Sequence, residues 1–246
     1  MKLSQKALGW LGGGVTGLLN GLFGSGGGMV AVPLLEHGGL EPARAHATSI
    51  AVILPLTALS AGSYLFSGSV DFSEALPYLL GGLPGCWVGS RLLGKLLLHR
   101  PEPDLRGADP VCGRKDVAVI DWVAILAGFG SAVLASMGMG GGSILILYLT
   151  LIAGVPQREA QGVNLLFFLP IGAAALWLHW RQGRVDKTAV RQFLPTGLLG
   201  ALLGTGLAML ADESLLRRGF AVFLLLIGLR QLFPGKPKKK KTGPEA

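Results

Sequence analysis

One short stretch, Gly24-Ser25-Gly26-Gly27-Gly28, constrains this chain more than any other: it interrupts an apolar run and then returns as Gly138-Met139-Gly140-Gly141-Gly142. Successive glycines cost a helix about 1 kcal/mol each relative to alanine. A broken backbone is tolerated inside a membrane only where the freed N–H and C=O groups are buried in protein or line a cavity. Paired breaks in the two halves of an apolar chain point to a transporter's binding site. The two glycine loops are therefore expected to meet near the bilayer midplane, with the substrate between them.

Composition agrees with a membrane setting. Half of the 246 residues are hydrophobic and 15% are charged, against roughly 25% in a soluble domain. Long apolar runs predict spanning helices. The fold class expected is an all-α polytopic membrane protein, two four-segment repeats with glycine-broken or re-entrant helices, with about 7–9 membrane segments. Cys86 and Cys112 have no metal or redox spacing, and neither a metal nor a cofactor is expected. Lys236 and Lys238 to Lys241 make a basic tail without interleaved aromatics. It reads as a disordered segment near anionic headgroups rather than a nucleic-acid contact. Lys2 and Lys6 before an apolar run resemble a signal peptide, but residues 7–28 have a counterpart at 121–142, so the segment is read as part of the fold.

In chain order, Gly9, Gly13, Gly17 and Gly21 recur at intervals of four and form a close-packing stripe on the first helix. Residues 29–36 are too short to span, so the first glycine loop opens either a re-entrant hairpin or one broken helix. A helix from Pro42 to about Phe66 follows, then a turn with Asp71 and Glu74 at capping-box spacing. The next helix reaches about Leu98 with a second stripe at Gly81, Gly85 and Gly89.

The second half repeats the first. From Gly24 to Gly138 the offset is 114, and from Pro55 to Pro170 it is 115. The latter also pairs Gly68 with Gly183, Asp71 with Asp186, and Gly82, Gly85 and Gly89 with Gly197, Gly200 and Gly204. The chain divides into a first membrane repeat (1–98), a polar linker (99–121), a second membrane repeat (122–233) and a basic disordered tail (234–246). The positive-inside rule puts the N-terminus and linker in the cytoplasm. The basic loop at Arg181, Arg184 and Lys187 and the lysine tail conflict with that count.

The order and duplication of these motifs resemble the TauE/SafE family of sulfite exporters, also called the 4-toluene sulfonate uptake permease family. The carrying residues are Gly17 to Gly28 with Val32-Pro33-Leu34, Ala47-Thr48-Ser49, Gly138 to Gly142, Gln161-Gly162-Val163-Asn164, and Gly183-Arg184-Val185-Asp186. The resemblance implies a polytopic protein of a bacterial inner membrane that moves small sulfur-containing or organic anions, often by secondary transport. Two departures are the polar 104–118 stretch where a helix is expected, and Leu147 in place of a proline matching Pro33.

The loops also have a chemistry of their own. A glycine run ending at a helix N-terminus presents backbone N–H groups and the positive end of the dipole, an anion site without a charged side chain. Glycine there is expected to adopt positive φ and to let an anion approach the backbone. The candidate substrate-binding residues are Ser25, Gly26, Gly27, Gly28, Thr48 and Ser49 from the first half. Gly140, Gly141, Gly142, Ser143, Gln161 and Asn164 come from the second. Thr48 and Ser49 have the alternative of bonding to their own helix. His46 is the group that could couple transport to protons. A P-loop is excluded because the Lys-Ser/Thr is absent. A passive anion channel and a carrier of non-sulfur organic anions stay open beside secondary transport. A membrane-embedded enzyme lacks any nucleophile or metal constellation to carry it. The partners expected are a small anion and the lipid bilayer.

Overall fold

The computed structural model describes residues 5–96, 122–137 and 141–232. Expectations placed on the linker, the lysine tail and Gly140 lie outside those residues. The described elements are α1 (Gln5–Phe23), α2 (Gly26–His37), α3 (Pro42–Phe66), α4 (Phe72–Leu96), α5 (Trp122–Ser136), α6 (Gly142–Leu147) continuing into a π-helical turn (Tyr148–Ile152), α7 (Gln157–Arg181), α8 (Lys187–Leu210) and α9 (Glu213–Leu232). By length and composition α3, α7 and α8 can cross a membrane. Leu126, Leu199 and Leu203 are exposed while Asn20, Thr57, Gln161 and Asn164 are buried. That inverts the rule for a water-soluble chain and suits a lipid solvent. The chain is an all-α polytopic membrane protein.

Local signals set the helix ends. Pro42 opens α3 at its first turn, where its missing N–H costs nothing. Asp186 caps α8, its carboxylate accepting from the N–H groups of Thr188 and Ala189. Gly68 and Gly183, equivalent in the duplication, end α3 and α7 with φ of +67° and +65°.

The glycine stripes form two matched seams. A Cβ on Gly13, Gly17 or Gly21 would strike the backbone carbonyls of Phe193, Gly197 and Ala201, so α1 lies against α8 with backbones in contact. Gly81, Gly85 and Gly89 stand in the same way against the carbonyls of Ile125, Phe129 and Val133, which joins α4 to α5. In both seams the numbers rise together, so each pair runs parallel. Each half thus packs its outer helix on a helix of the other half, with α3 and α7 in contact at the centre.

Two questions left open by the sequence are decided here. First, α1 and α2 form an antiparallel hairpin: Gly27 sits against Asn20, and Gly12 against Leu34. The first glycine loop is therefore re-entrant rather than a break in one continuous helix. Second, α4 and α5 are parallel, so Leu96 and Trp122 lie at opposite ends of the bundle. This moves the turn between α7 and α8 to the end where α1 begins. There Trp10, Lys187 and Arg191 line one groove, and Arg44 pairs with Asp186 at 3.3 Å. Arg181 stacks on Trp177 and Lys187 on Trp180, as interfacial anchors do. The opposite end carries Asp71, Glu74, Glu159, Asp212 and Glu213 beside Arg158, Arg217 and Arg218. From that end α9 starts, with Glu213 accepting from the Gln157 N–H, and passes the tip of α1 through Phe220 and Phe223. The charge count had assumed that α5 starts on the face where α4 stops, and with the two helices parallel the basic turn between α7 and α8 lies at the same end as the start of α1.

Candidate functional site

The two hairpin tips meet. Ser25 Oγ and Ser143 Oγ are 3.4 Å apart, joining residues 118 positions distant in sequence. Around them lies a cleft lined by Asn20, Gly24, Ser25, Gly28, Ile50, Ile53, Thr57, Ala135, Gly141, Gly142, Asn164 and Phe168. Its cavity volume is about 20 Å³, enough to seat only a water-sized body. Every lining side chain is uncharged. The long-helix residues among them come from the central stretches of α3 and α7, near Pro55 and Pro170.

Helix starts point at this cleft. Gly26, Gly27 and Gly28 form the first turn of α2, and Gly142 and Ser143 begin α6. First-turn N–H groups have no partner within their own helix. Neither N-cap residue, Ser25 or Gly141, supplies a side-chain cap, in contrast to Asp186 on α8. The glycines serve a different end from the one expected. Among the described loop glycines only Gly24 has a left-handed φ, +71°, whereas Gly26 to Gly28 are helical and Gly141 has φ of −52°. Their lack of a side chain allows close approach instead. A Cβ on Gly26 would stand 3.0 Å from the Leu19 carbonyl, and one on Gly142 would stand 2.5 Å from Asn164 Nδ2. A Cβ on Gly141 would collide with the Ser131 carbonyl.

Of the polar candidates, Asn164 is at the centre of the cleft. Its Nδ2 donates to the Gly24 carbonyl at 2.8 Å, tying α7 to the first hairpin across the two halves. Gln161, one turn earlier, backs onto Gly24 and accepts from the Tyr64 hydroxyl at 3.0 Å, behind the lining rather than in it. Ser143 also reaches Met29 Sδ at 3.8 Å.

The structure places Thr48 and Ser49 elsewhere. Thr48 Oγ1 accepts from the Asp186 N–H at 3.0 Å and so holds the start of α8. Ser49 Oγ donates to the His46 carbonyl at 2.7 Å within its own helix. His46 is half-buried near the start of α3 and does not line the cleft. Two polar lining residues were missed from the sequence, Asn20 and Thr57, joined by a bond from Asn20 Nδ2 to Thr57 Oγ1 of 3.2 Å. The signal for Asn20 was present: like Asn164 it is an amide in an apolar run, and it stands four residues before the glycine break.

Comparison with known proteins adds an independent line. The sequence profile of the family described as Sulfite exporter TauE/SafE matches residues 1–106 and 123–246. A "Probable membrane transporter protein" of Xylella fastidiosa (strain 9a5c) is 28% identical over 240 residues, covering 88% of this chain and 91% of the relative. A protein of the same description from Xylella fastidiosa (strain Temecula1 / ATCC 700964) is 27% identical with the same coverage. No solved structure matches the chain.

Proposed function

The chain belongs to the sulfite exporter TauE/SafE family and is a membrane transporter, and we propose that it is a secondary transporter of small sulfur oxyanions such as sulfite, or of organosulfonates, bound between its two glycine hairpins. The observation that carries this reading is the meeting of two uncapped helix starts, α2 and α6, at one uncharged cleft. N–H groups of Gly26 to Gly28 and of Gly142 and Ser143, with the hydroxyls of Ser25 and Ser143, are the donors. Each helix start acts as roughly half a positive charge, enough to attract an anion without the desolvation cost of a buried arginine.

The cleft is too narrow to hold the whole anion in this state, so binding requires the hairpins to part. Their counterpart positions in two halves suit a carrier that opens alternately to either side. The end rich in Arg and Lys faces the cytoplasm by the positive-inside rule, in a bacterial inner membrane. The test is sulfite flux in proteoliposomes. Accumulation against the electrochemical gradient of the anion is expected when an ion gradient is imposed. Flux that only dissipates the anion gradient would make the protein a channel, and absence of flux with sulfite but not with a carboxylate would move the substrate class.

A further inference from the structure

The donors and acceptors at the cleft do not balance for an anion alone. Asn164 Nδ2 is used by the Gly24 carbonyl and Asn20 Nδ2 by Thr57 Oγ1, so both amides spend a donor on the protein. Asn164 Oδ1 is left without a partner on a side chain only 1% exposed. It lies beside Gly142, where a Cβ would be 2.7 Å from it. A buried acceptor with no donor is destabilising, and next to an anion it is repelled as well. What it calls for is a donor or a cation.

Other neutral oxygens line the same cleft, the hydroxyls of Ser25 and Thr57 among them, and the long helices beside it are broken. Pro55 and Pro170 have no N–H, so the carbonyls of Ala51 and Leu166 lose their helical donors. The last turn of α1 brings its carbonyl end to the hairpin tip beside Gly24. In transporters with broken helices, N-terminal ends face anionic groups while unwound carbonyls and C-terminal ends hold a coupling cation. All the oxygens here are neutral. Among the described residues no group of His, Cys, Asp or Glu could hold a metal ion, which disfavours a divalent ion.

We propose that the cleft binds a sodium ion beside the substrate anion, held by Asn164 Oδ1 and neighbouring neutral oxygens of the broken backbone. A hard monovalent cation suits neutral oxygen ligands, and a water-sized seam favours the smaller alkali ion over potassium. Its charge offsets that of the anion in a site with no charged side chain, and its gradient supplies the driving force. The inference rests on the cleft being the transport site, but its first test needs no anion substrate.

Thermal unfolding of the purified full chain is followed in NaCl, KCl and choline chloride at equal ionic strength, without sulfite. A saturable rise in Tm with Na⁺ alone is expected, since a ligand of the native state stabilises it by mass action. Asn164→Ala, which also gives up the bond to the Gly24 carbonyl, should start from a lower Tm in choline and lose the further rise with Na⁺. Should that variant not fold, Asn164→Asp serves instead, and its response should saturate at about tenfold lower Na⁺ because a carboxylate replaces a neutral oxygen. Equal behaviour in all three salts would mean the seam holds only water and would overturn the proposal, as would a Na⁺ response untouched in both variants. In proteoliposomes at equal pH, an inward Na⁺ gradient should drive sulfite uptake. A Na⁺ response in Tm without any sulfite flux would leave the ion site standing and remove the sulfite reading.

Discussion

The two hairpins are built on one plan and furnished differently. The first turns at Ser25 into an α2 of 12 residues and carries Asn20 on its outgoing arm. The second turns at Gly141 into a six-residue α6 that loosens into a π-helical turn, with Leu134 at the position equivalent to Asn20. The central helices reverse the roles: α7 supplies Asn164, while its equivalent on α3, Ser49, bonds within its own helix. Each half therefore gives the cleft one amide, but from a different helix. The glycine seams, by contrast, match closely. Gly200 and Gly204 of α8 and their equivalents Gly85 and Gly89 of α4 each meet a backbone carbonyl of the partner helix, which leaves no room for a side chain on either copy, whereas a cleft needs an amide on each wall and is indifferent to which helix brings it.

The largest effects should come from making the seams unequal. Gly17→Val and Gly85→Val each drive a side chain into a backbone carbonyl, and overpacking costs about 1–3 kcal/mol and occasionally more, the upper end applying where backbone itself must shift. Both variants should lose most folded protein on detergent size-exclusion. Gly206→Val, where a Cβ would meet nothing within 4 Å, should remain stable, and a stable Gly17→Val would show that the seam is loose.

At the cleft, Gly142→Val should abolish sulfite transport, since its Cβ takes the space beside Asn164. Normal uptake by a folded Gly142→Val protein would make the second loop a packing device only. Smaller and more telling is the pair Asn164→Ala and Ser49→Ala, equivalent in the duplication. The first should weaken sulfite binding by about 1–2 kcal/mol, the scale of a hydrogen bond to a charged group, and the second by far less. Calorimetric titrations giving equal losses would restore the symmetric site that the structure denies. Asn20→Leu copies the second hairpin into the first and should cost about 1 kcal/mol of affinity. Smallest of all, Arg44→Gln removes a half-exposed pair with Asp186. It should shift stability by under about 1 kcal/mol and leave affinity unchanged, which a chemical-denaturation curve beside a titration would check.

Much of this protein was legible in its residues. The apolar runs dictated helices, Pro42 and the Asp186 cap dictated where two of them begin, and the offset of 115 anticipated the equivalence of Gly68 with Gly183. Doubled glycine loops pointed to the place where the chain breaks and to Asn164 beside it. These features are local: a cap, a turn or a spacing acts within a few residues, and the sequence records it directly.

What the tertiary structure decided is which partner each polar group finds. The Thr48 hydroxyl is used by an N–H 138 residues away, and Asn20 bonds to Thr57 on another helix. No periodicity specifies such choices, because it says which face of a helix is small or apolar and not which helix will cover it. The same limit hid the parallel packing of α4 on α5. Gly81, Gly85 and Gly89 announced that some backbone would approach closely. Only the folded chain showed that it was α5, running the same way, and so set the basic turn between α7 and α8 at the end where α1 begins.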